Sequence, residues 1–423
     1  MPALPLEGIR VVDLTVVWAG PFAAALLGDL GAEVIRVESL QRLDTITRTA
    51  TDAKAMHELV ADVDPDAKPW NVSTNFTTVG RNTKSVTMDL RREEALEAFY
   101  KLISVSDVFI ENNSPSTVEK LKVDYPRLVA HNPRLIMMSM SAFGATGPYR
   151  DYRAYGANIE AVVGYLLLRG YADGEEFVNS VGGFSDACGG ATAAMAVLAA
   201  LHHRHGTGEG QYIDMAQSEG VAQTLSQAMM DYSMNGRSRR STGNRDAERV
   251  PQGAYRCAGD DYWVALSCGT EEEFRALCVL IGHAEHVDDP LFAKELRLAQ
   301  HDLLDQEITE WTSQRDSYEA FHLLQSAGIA AAPVLDQAQL ANDPHLRARE
   351  DWISLTHPAA GTHAYLKTPI WHMSETPLPY RRVAPLLGQD NDYVYREVLG
   401  FSDEQYQRFV ELGHIGTDYV TRS

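Results

Sequence analysis

The chain has 423 residues, of which 45% are hydrophobic and 22% charged. This composition is typical of a globular protein, and the length predicts two or three domains with a large buried core. A formal net charge of −21 argues against binding to nucleic acid or to an anionic membrane surface. Any anionic ligand must therefore be bound by a local basic pocket.

The cysteines and the apolar segments indicate the compartment of the protein and whether it binds a metal or spans a membrane. The four cysteines form no CxxC pair, and no cysteine–histidine set has zinc spacing, so we expect no metal. We expect a reduced, cytoplasmic setting. The N-terminal residues lack the basic and apolar segments of a signal peptide. The most apolar stretch, 181–201, is interrupted by polar residues and glycines, so no membrane span is expected.

The first forty residues predict a strand–helix–strand unit. Residues 9–14 form a short apolar strand, an apolar helix begins at 20–21 and ends at Gly31, and residues 34–38 form a second strand. This order is the signature of a parallel α/β sheet. Residues 40–78 are polar and irregular, and we expect a long excursion over the surface there.

The α/β alternation resumes after this excursion. Further strands are predicted at 85–90, 107–111 and 135–140, with a helix at 91–103. Continuous helices are predicted at 154–168, 185–205 and 217–233. We therefore expect a large α/β domain at 1–220, followed by a linking helix at 221–234.

A change in composition near residue 235 predicts a second, smaller α+β domain at 235–334. It begins with a loop rich in Arg, Ser, Gly and Asn, followed by a hairpin at 255–266 that turns at 259–261. The elements predicted after the hairpin are helices at 270–282, 302–314 and 316–326 and a strand at 328–334. Residues 335–423 are predicted to return to the large domain and to end with a helix near 402–413.

Asp186 is the most informative single residue. It follows the glycines at 182–183 and precedes the apolar run at 191–201. This pattern puts an acid at a helix N-terminus, where the dipole favours the charged form, and the glycines let a ligand approach the backbone. An ionised carboxylate held in this way can be a nucleophile. The simpler interpretation is that Asp186 only caps the helix.

Two common nucleotide-binding fingerprints are missing from the sequence. No GxGxxG follows the first strand, and no GxxxxGK[ST] occurs anywhere in the chain. The glycine-rich segment 206–210 follows a helix rather than preceding one, so its amides would not line a helix N-terminus. We interpret it as a helix stop and turn.

Eight segments, taken in order along the chain, are specific in combination. They are 11–14 with 19–21 and 30–35, 82–85 with 88–90, 110–112, 144–149, 182–190, 208–215, 342–349 and 384–389. With these segments the chain resembles the family III CoA-transferases of the CaiB/BaiF type. That family includes formyl-CoA:oxalate and carnitine CoA-transferases and α-methylacyl-CoA racemases. The resemblance runs from about Leu6 to about Leu412.

The resemblance implies a CoA-transferase in which Asp186 is the catalytic nucleophile. Its carboxylate attacks the thioester carbonyl of an acyl-CoA, a mixed aspartyl anhydride forms, and CoA leaves as the thiolate. The thiolate then attacks the anhydride and gives an aspartyl-CoA thioester, the donor acid leaves, and the acceptor carboxylate reverses the steps. One thioester replaces another, so the scheme needs no permanently bound cofactor, and CoA and acyl-CoA are substrates.

The resemblance also implies a CoA site, carried over position by position. Val17 falls at a backbone or apolar contact with CoA, and Asn112 falls on a CoA-contacting asparagine. Lys120 and Leu121 fall on a basic–apolar pair that binds the adenosine end.

Two further basic residues are candidates for the phosphates. Arg153 falls on a basic position near them, and Lys84 lies in a basic loop before a strand. Taken alone, each basic residue is better interpreted as a solvated surface charge. An exposed ion pair contributes only about 0.2–1 kcal/mol, so several cations must converge to hold a polyanion.

The chain departs from the family pattern at four positions, Trp18, Ser39, Asn113 and Gly156. They stand where family members often have a glutamine, a basic residue, an aromatic residue and an acidic residue, respectively. The glycine-rich loop that covers the active site of the formyl-CoA enzyme has no counterpart. These departures affect the choice of substrate more than the chemistry.

Two alternative functions remain beside the transferase. An acyl-CoA racemase needs two proton-transfer groups, and its His–Asp pair is replaced here by Tyr155 and Gly156, which argues against that reaction. A non-catalytic or partner-dependent subunit of a heteromeric CoA-transferase stays open, because some relatives work as pairs of similar chains.

The fold that the resemblance implies is α/β. A large Rossmann-like domain is made of N- and C-terminal segments, with a smaller α+β domain between them. Family members form interlocked dimers, so we expect a homodimer or a heterodimer with a homologous subunit. The expected ligands are an acyl-CoA and a small carboxylic acid, whose identities the sequence does not give.

Overall fold

The computed structural model describes residues 3–42, 44, 46–171, 183–350, 352–366 and 371–420. It divides into two compact units. The first comprises the described parts of 1–165, 181–230 and 351–423, and the second those of 166–180 and 231–350. The predicted boundary at 334 falls inside the second unit, which continues to Glu350.

The first unit is built on a six-stranded sheet in which all strands are parallel. The strands are β1 (Arg10–Asp13), β2 (Glu33–Glu38), β3 (Thr83–Thr87), β4 (Val108–Glu111), β5 (Ile136–Ser139) and β6 (Gln211–Asp214). Their order, β3-β2-β1-β4-β5-β6, is that of a doubly wound α/β fold. The predicted parallel sheet is thereby confirmed. The chain switches from one half of the sheet to the other between β1 and β4.

The helices of this part of the chain follow the strands in alternation. They are α1 (Ala19–Asp29), α2 (Ala53–Leu59), α3 (Thr74–Val79), α4 (Glu93–Ser104), α5 (Pro115–Lys120), α6 (Tyr125–Leu128), α7 (Gly156–Val162), α8 (Tyr165–Leu168), α9 (Phe184–Thr207), α10 (Gln217–Gln223) and α11 (Ser226–Asn235). The long helix predicted at 185–205 is confirmed as α9. The continuous helices predicted at 154–168 and 217–233 are wrong, since each is broken in two. Gly164, at a φ of 82°, ends the first, and the Thr224 hydroxyl donates to the Val221 carbonyl where the second is interrupted.

The second unit contains a three-stranded antiparallel sheet. Its strands, in spatial order, are β7 (Gln252–Arg256), β8 (Trp263–Ser267) and β9 (Ala330–Val334). The predicted hairpin is confirmed as β7–β8. The helices are α12 (Glu271–Ile281), α13 (Lys294–Arg297), α14 (His301–Thr312), α15 (Ser317–Ser326), α16 (Gln337–Asn342) and α17 (Pro344–Ala348).

The C-terminal segment from residue 351 belongs to the first unit. After a hairpin of β10 (Trp352–His357) and β11 (Gly361–Leu366), the chain reaches α18 (Asp403–Glu411). The Ser85 amide donates to Asp390 at 2.9 Å, and the Tyr395 hydroxyl donates to the Thr87 carbonyl at 2.9 Å. These bonds attach the returning chain to β3, at the edge of the sheet.

The two faces of the sheet are covered by different helices. Successive residues of a strand point to opposite faces. Val11 accordingly packs in a cluster with α1 and α9, whereas Val12 packs in a cluster with α4 and the C-terminal segment. Within the described part of the chain α9 is also the one helix long and apolar enough to cross a membrane, but core helices pass the same test. It packs against α1.

The expectation that 40–78 is a surface excursion is wrong. The segment contains α2, α3 and a 3-10 turn at Pro69–Asn71, and Arg48 and Phe76 within it are fully buried. The Arg48 guanidinium donates to both carboxylate oxygens of Glu38 and lies 3.6 Å from the centre of the Phe76 ring. A polar segment predicts exposure only when its charges have no buried partners. Here the charge of Arg48 has a buried partner, Glu38 on β2.

Candidate active site

Asp186 is the third residue of α9 and is half-buried. The residue before the helix is Gly183, which offers no side-chain cap. In the described part of the chain no hydrogen bond is made to the Asp186 carboxylate. The capping interpretation therefore lacks the hydrogen bond that would define it, and the carboxylate is left available to a ligand.

Gly156 lies directly against this carboxylate. It is the first residue of α7, and a Cβ atom at this position would lie 2.6 Å from Asp186 Oδ2 and 2.7 Å from Ser185 Oγ. Both distances are shorter than real Cβ contacts allow. The absence of a side chain at 156 thus creates the space in which the Asp186 carboxylate lies.

A second acid, Glu160, lies one helical turn beyond Gly156. It is fully buried, and its Oε1 accepts a hydrogen bond from the Ser185 amide at 3.3 Å. The buried Ser185 hydroxyl has no hydrogen-bond partner among the described residues. Glu160, Ser185 and Asp186 thus form a compact polar group between α7 and α9.

The environment of the Asp186 carboxylate raises its pKa. Burial is the larger cause, and the negative charge of Glu160 adds to it. The direction is opposite to our expectation from the helix dipole, because the removal of water and the neighbouring acid outweigh the dipole.

The predicted ligand contacts Val17 and Asn112 meet at the switch point of the sheet. Val17 follows the carboxyl end of β1 and Asn112 follows that of β4, the neighbouring strand. The Asn112 side chain accepts from the Val16 amide at 2.8 Å and donates to the Val16 carbonyl at 2.7 Å. In open α/β sheets this crevice is the usual place for a ligand.

The backbone at Val17 is held in a strained conformation. Its φ of 71° is uncommon for a β-branched residue. The Val17 amide donates to Asp44 at 3.4 Å, and the Thr47 hydroxyl donates to the Val17 carbonyl. Asp44 is itself 3.5 Å from the buried guanidinium of Arg36. Such strain persists only where surrounding groups impose it, and it is often found at binding sites.

Close packing of α1 against α9 joins the switch point to Asp186. A Cβ atom at Gly190, one turn beyond Asp186, would lie 2.7 Å from the Ala19 carbonyl oxygen. Ala19 begins α1, two residues after Val17. The loop at Val17 and the carboxylate of Asp186 therefore belong to one region of the first unit.

The candidates Lys120, Leu121 and Arg153 lie on two connected segments. Lys120 ends α5, and Arg153 lies in the loop before α7. The Ser116 amide donates to Asp151 at 3.0 Å, which joins these segments. Lys120 and Arg153 are both exposed, and no ion pair of either is found within the described ranges. Their charges are thus available to an anion.

Lys84 is not brought to this group. Its ammonium lies 2.7 Å from Glu33, at the amino end of β2, and 3.4 Å from the centre of the Tyr393 ring. Val17 and Asn112 instead follow the carboxyl ends of their strands. The expected basic loop before a strand is wrong, because Lys84 is the second residue of β3. Its charge is engaged by a neighbour that sequence alone does not reveal.

Sequence reasoning missed Glu160 and Ser185. The available signal was spacing, since residues 156 and 160 are one turn apart on a predicted helix and share a face. Nothing in the sequence indicated that this face packs against Asp186, because α7 and α9 are connected through a long intervening segment.

Together these features define an α/β protein with a crevice at its topological switch point. Beside the crevice is the Asp186 carboxylate, to which the described residues donate no hydrogen bond. A family model for CoA-transferase family III matches residues 6–391. The beta subunit of succinyl-CoA–L-malate CoA-transferase from Chloroflexus aurantiacus is 33% identical over 404 residues, covering 95% of this chain and 96% of the relative. The alpha subunit from the same organism is 32% identical, covering 96% and 91%.

A solved structure agrees with these matches. A CaiB/BaiF family protein from Brucella suis has a TM-score of 0.81 and 30% identity, covering 94% of this chain and 100% of that one. The chain belongs to CoA-transferase family III, and it is a CoA-transferase.

Proposed function

We propose that this protein moves CoA from an acyl-CoA thioester to a carboxylic acid, with Asp186 as the nucleophile. The carboxylate oxygen forms a bond to the thioester carbonyl carbon, the C–S bond breaks, and the electron pair leaves on the CoA sulfur. The thiolate then attacks the aspartyl carbonyl and expels the donor carboxylate. The acceptor carboxylate attacks the resulting thioester, and the two steps run in reverse.

One observation carries this proposal: the half-buried Asp186 carboxylate has no hydrogen-bond donor among the described residues. A carboxylate without donors to stabilise its charge is more reactive than a solvated one. Partial exclusion of water also protects an anhydride from hydrolysis, and fixed placement can supply about 7–11 kcal/mol of the barrier.

A trapping experiment tests the nucleophile. The protein is incubated with acyl-CoA, treated with hydroxylamine, and digested for mass spectrometry. We expect a hydroxamate on the peptide that contains Asp186, and its loss in Asp186→Asn. Cys188→Ser is the matched control, because this half-buried thiol lies two residues away. Cys188→Ser should keep the hydroxamate, and a hydroxamate that persists on this peptide in Asp186→Asn would contradict the assignment.

We propose further that CoA lies along the switch-point crevice, with Val17 and Asn112 near its pantetheine arm and Lys120, Leu121 and Arg153 at its adenosine and phosphate end. The exposure of Lys120 and Arg153, and the lack of an ion pair to either among the described residues, support the second part. Lys120→Ala and Arg153→Ala should each raise KM for acyl-CoA by up to about fivefold, the equivalent of about 1 kcal/mol per exposed pair. Lys54→Ala, an exposed lysine on α2, is the control. Equal KM values in all three would contradict this placement.

The substrate class is proposed from the names of relatives. Both subunits named above act with succinyl-CoA and L-malate, so a short dicarboxylic acyl-CoA is the first donor to test. A panel of acyl-CoAs with malate and other small acids would identify the pair by product formation. No transfer from any dicarboxylic donor would refute this choice.

The assembly is proposed to be a dimer in the cytoplasm. Large apolar side chains of the first unit, including Val162, Met195 and Met229, are more than half exposed, which supports contact with a second chain. The chain is about equally similar to the two subunits of one enzyme, which supports a partner-dependent subunit as the alternative. Light scattering of the protein alone and with a co-purified homologue, each with an activity assay, separates homodimer from heterodimer.

A further inference from the structure

A cluster of two histidines and one glutamate in the second unit lies outside everything described above. His286 Nε2 lies 3.0 Å from Glu307 Oε1 and 2.8 Å from Glu307 Oε2. His283 Nδ1 lies 3.5 Å from the same Oε1. These ligand-type atoms all lie within 4.8 Å of one another. His286 and Glu307 are buried, and His283 is half-buried.

The local fold brings the two histidines to the same side. Gly282, at a φ of 92°, ends α12, and the His283 amide then donates to the Cys278 carbonyl at 2.8 Å. A 3-10 turn at Ala284–Val287 follows, in which residues three apart lie above one another. The two rings accordingly stack, with centres 5.3 Å apart.

The third ligand comes from a different element. Glu307 lies in the middle of α14, and its side chain reaches the histidines of the 3-10 turn. The His286 ring is fixed from its other side by Phe292, whose ring centre is 3.8 Å away. Glu285 adds a carboxylate 3.2 Å from His283 Nδ1 at the exposed side of the cluster.

We propose that His283, His286 and Glu307 bind a divalent transition-metal ion, with zinc as the best match. In a tetrahedral site with bonds of about 2.0–2.1 Å, ligand atoms lie about 3.3 Å apart. Glu307 Oε1 lies 3.0 Å from His286 Nε2 and 3.5 Å from His283 Nδ1, on either side of that value. Two imidazole nitrogens with one carboxylate suit zinc better than calcium or magnesium, which prefer oxygen ligands.

The alternative explanation of this cluster is a shared proton instead of a metal ion. A protonated His286 paired with Glu307 would satisfy part of the same geometry. In that arrangement His283 Nδ1 bonds to Glu285 at 3.2 Å, and its approach to Glu307 at 3.5 Å has no role. A metal ion uses all three groups at once and links the turn after α12 to α14. Its fourth position is open to water or to Glu285.

Zinc binding is tested on the full-length protein, freed of any affinity tag and treated with a chelator. We expect one Zn²⁺ per chain by calorimetry and elemental analysis, a rise in Tm with added zinc, and tetrahedral ligand-field bands with Co²⁺. Glu307→Gln keeps the size and a hydrogen-bonding group, so it should fold, and His283→Ala removes a half-buried ligand. Each should weaken zinc binding by at least about tenfold.

His322→Ala is the matched control, because His322 is an exposed histidine of the same unit. Its zinc affinity should equal that of the unaltered protein. Equal affinity in Glu307→Gln and His283→Ala would overturn the proposal, because zinc would then bind elsewhere. Absence of any zinc-dependent rise in Tm, combined with a Tm that depends on pH and changes in Glu307→Gln, would show that the cluster holds a proton and would also overturn it.

Discussion

Replacing Gly156 by alanine should displace the Asp186 carboxylate. The added Cβ would lie 2.6 Å from Asp186 Oδ2, whereas ordinary contact begins at 3.4 Å, so the oxygen must move by 3.4 − 2.6 = 0.8 Å. The Ser185 hydroxyl, at 2.7 Å from the same Cβ, restricts the other side. Among the described residues no hydrogen bond restrains either oxygen, so both side chains must shift and the Asp186 carboxylate leaves its position.

The size of the effect follows from that displacement. A misplacement of about 1 Å at a reacting group can cost about a hundredfold in rate. We expect kcat/KM for CoA transfer to fall by about 10- to 100-fold, which corresponds to about 1.4–2.7 kcal/mol in transition-state stabilisation. KM should change less than kcat, since Gly156 lies against the nucleophile.

The assay follows acyl-CoA product by chromatography at several donor concentrations, beside thermal unfolding of each variant. Gly206→Ala is the matched control, because Gly206 lies near the other end of α9, has no positive φ, and has nothing within 4 Å of the methyl group that alanine would add. It should keep full activity. If Gly156→Ala folds and keeps the kcat/KM of the unaltered protein, the carboxylate does not occupy the position assigned to it.

Three further changes test the electrostatics. Glu160→Gln removes the charge that helps to raise the pKa of Asp186. Because attack needs the ionised carboxylate, the acid limb of the kcat/KM profile should move to lower pH. An unmoved limb would exclude coupling of the two acids. Asp186→Asn should abolish transfer yet raise Tm at pH 8. A raised pKa means that ionisation of Asp186 destabilises the folded state above that pKa. The gain in Tm should vanish as pH falls below 3.8, the ordinary pKa of an aspartate. A lower Tm for this variant at pH 8 would contradict a raised pKa of Asp186 in the folded state. Arg48→Met should cost about 3–5 kcal/mol in urea unfolding by leaving Glu38 buried without its main partner, and adding Glu38→Gln should recover part of that loss; no recovery would show that the pair is not coupled.

Much of the fold could be predicted from local patterns. Strands buried on both faces of a parallel sheet are continuous apolar runs, so β1, β2, β4 and β5 were visible. The edge strand β6 was not, because its residues alternate between half-buried and exposed positions. The long helix α9 and its N-terminal Asp186 were also visible, since glycines and an apolar run mark the start of a helix.

The sequence by itself determined the strand–helix alternation around β1, β2, β4 and β5, the single acid at the start of α9, and the family. Only the tertiary structure decided which charges meet. It buries Arg48 against Glu38, engages Lys84 with Glu33, and presses Glu160 toward Asp186. These partners are between 10 and 51 positions apart in the chain, and the field of a charge depends on distance in space and on exclusion of water rather than on sequence separation.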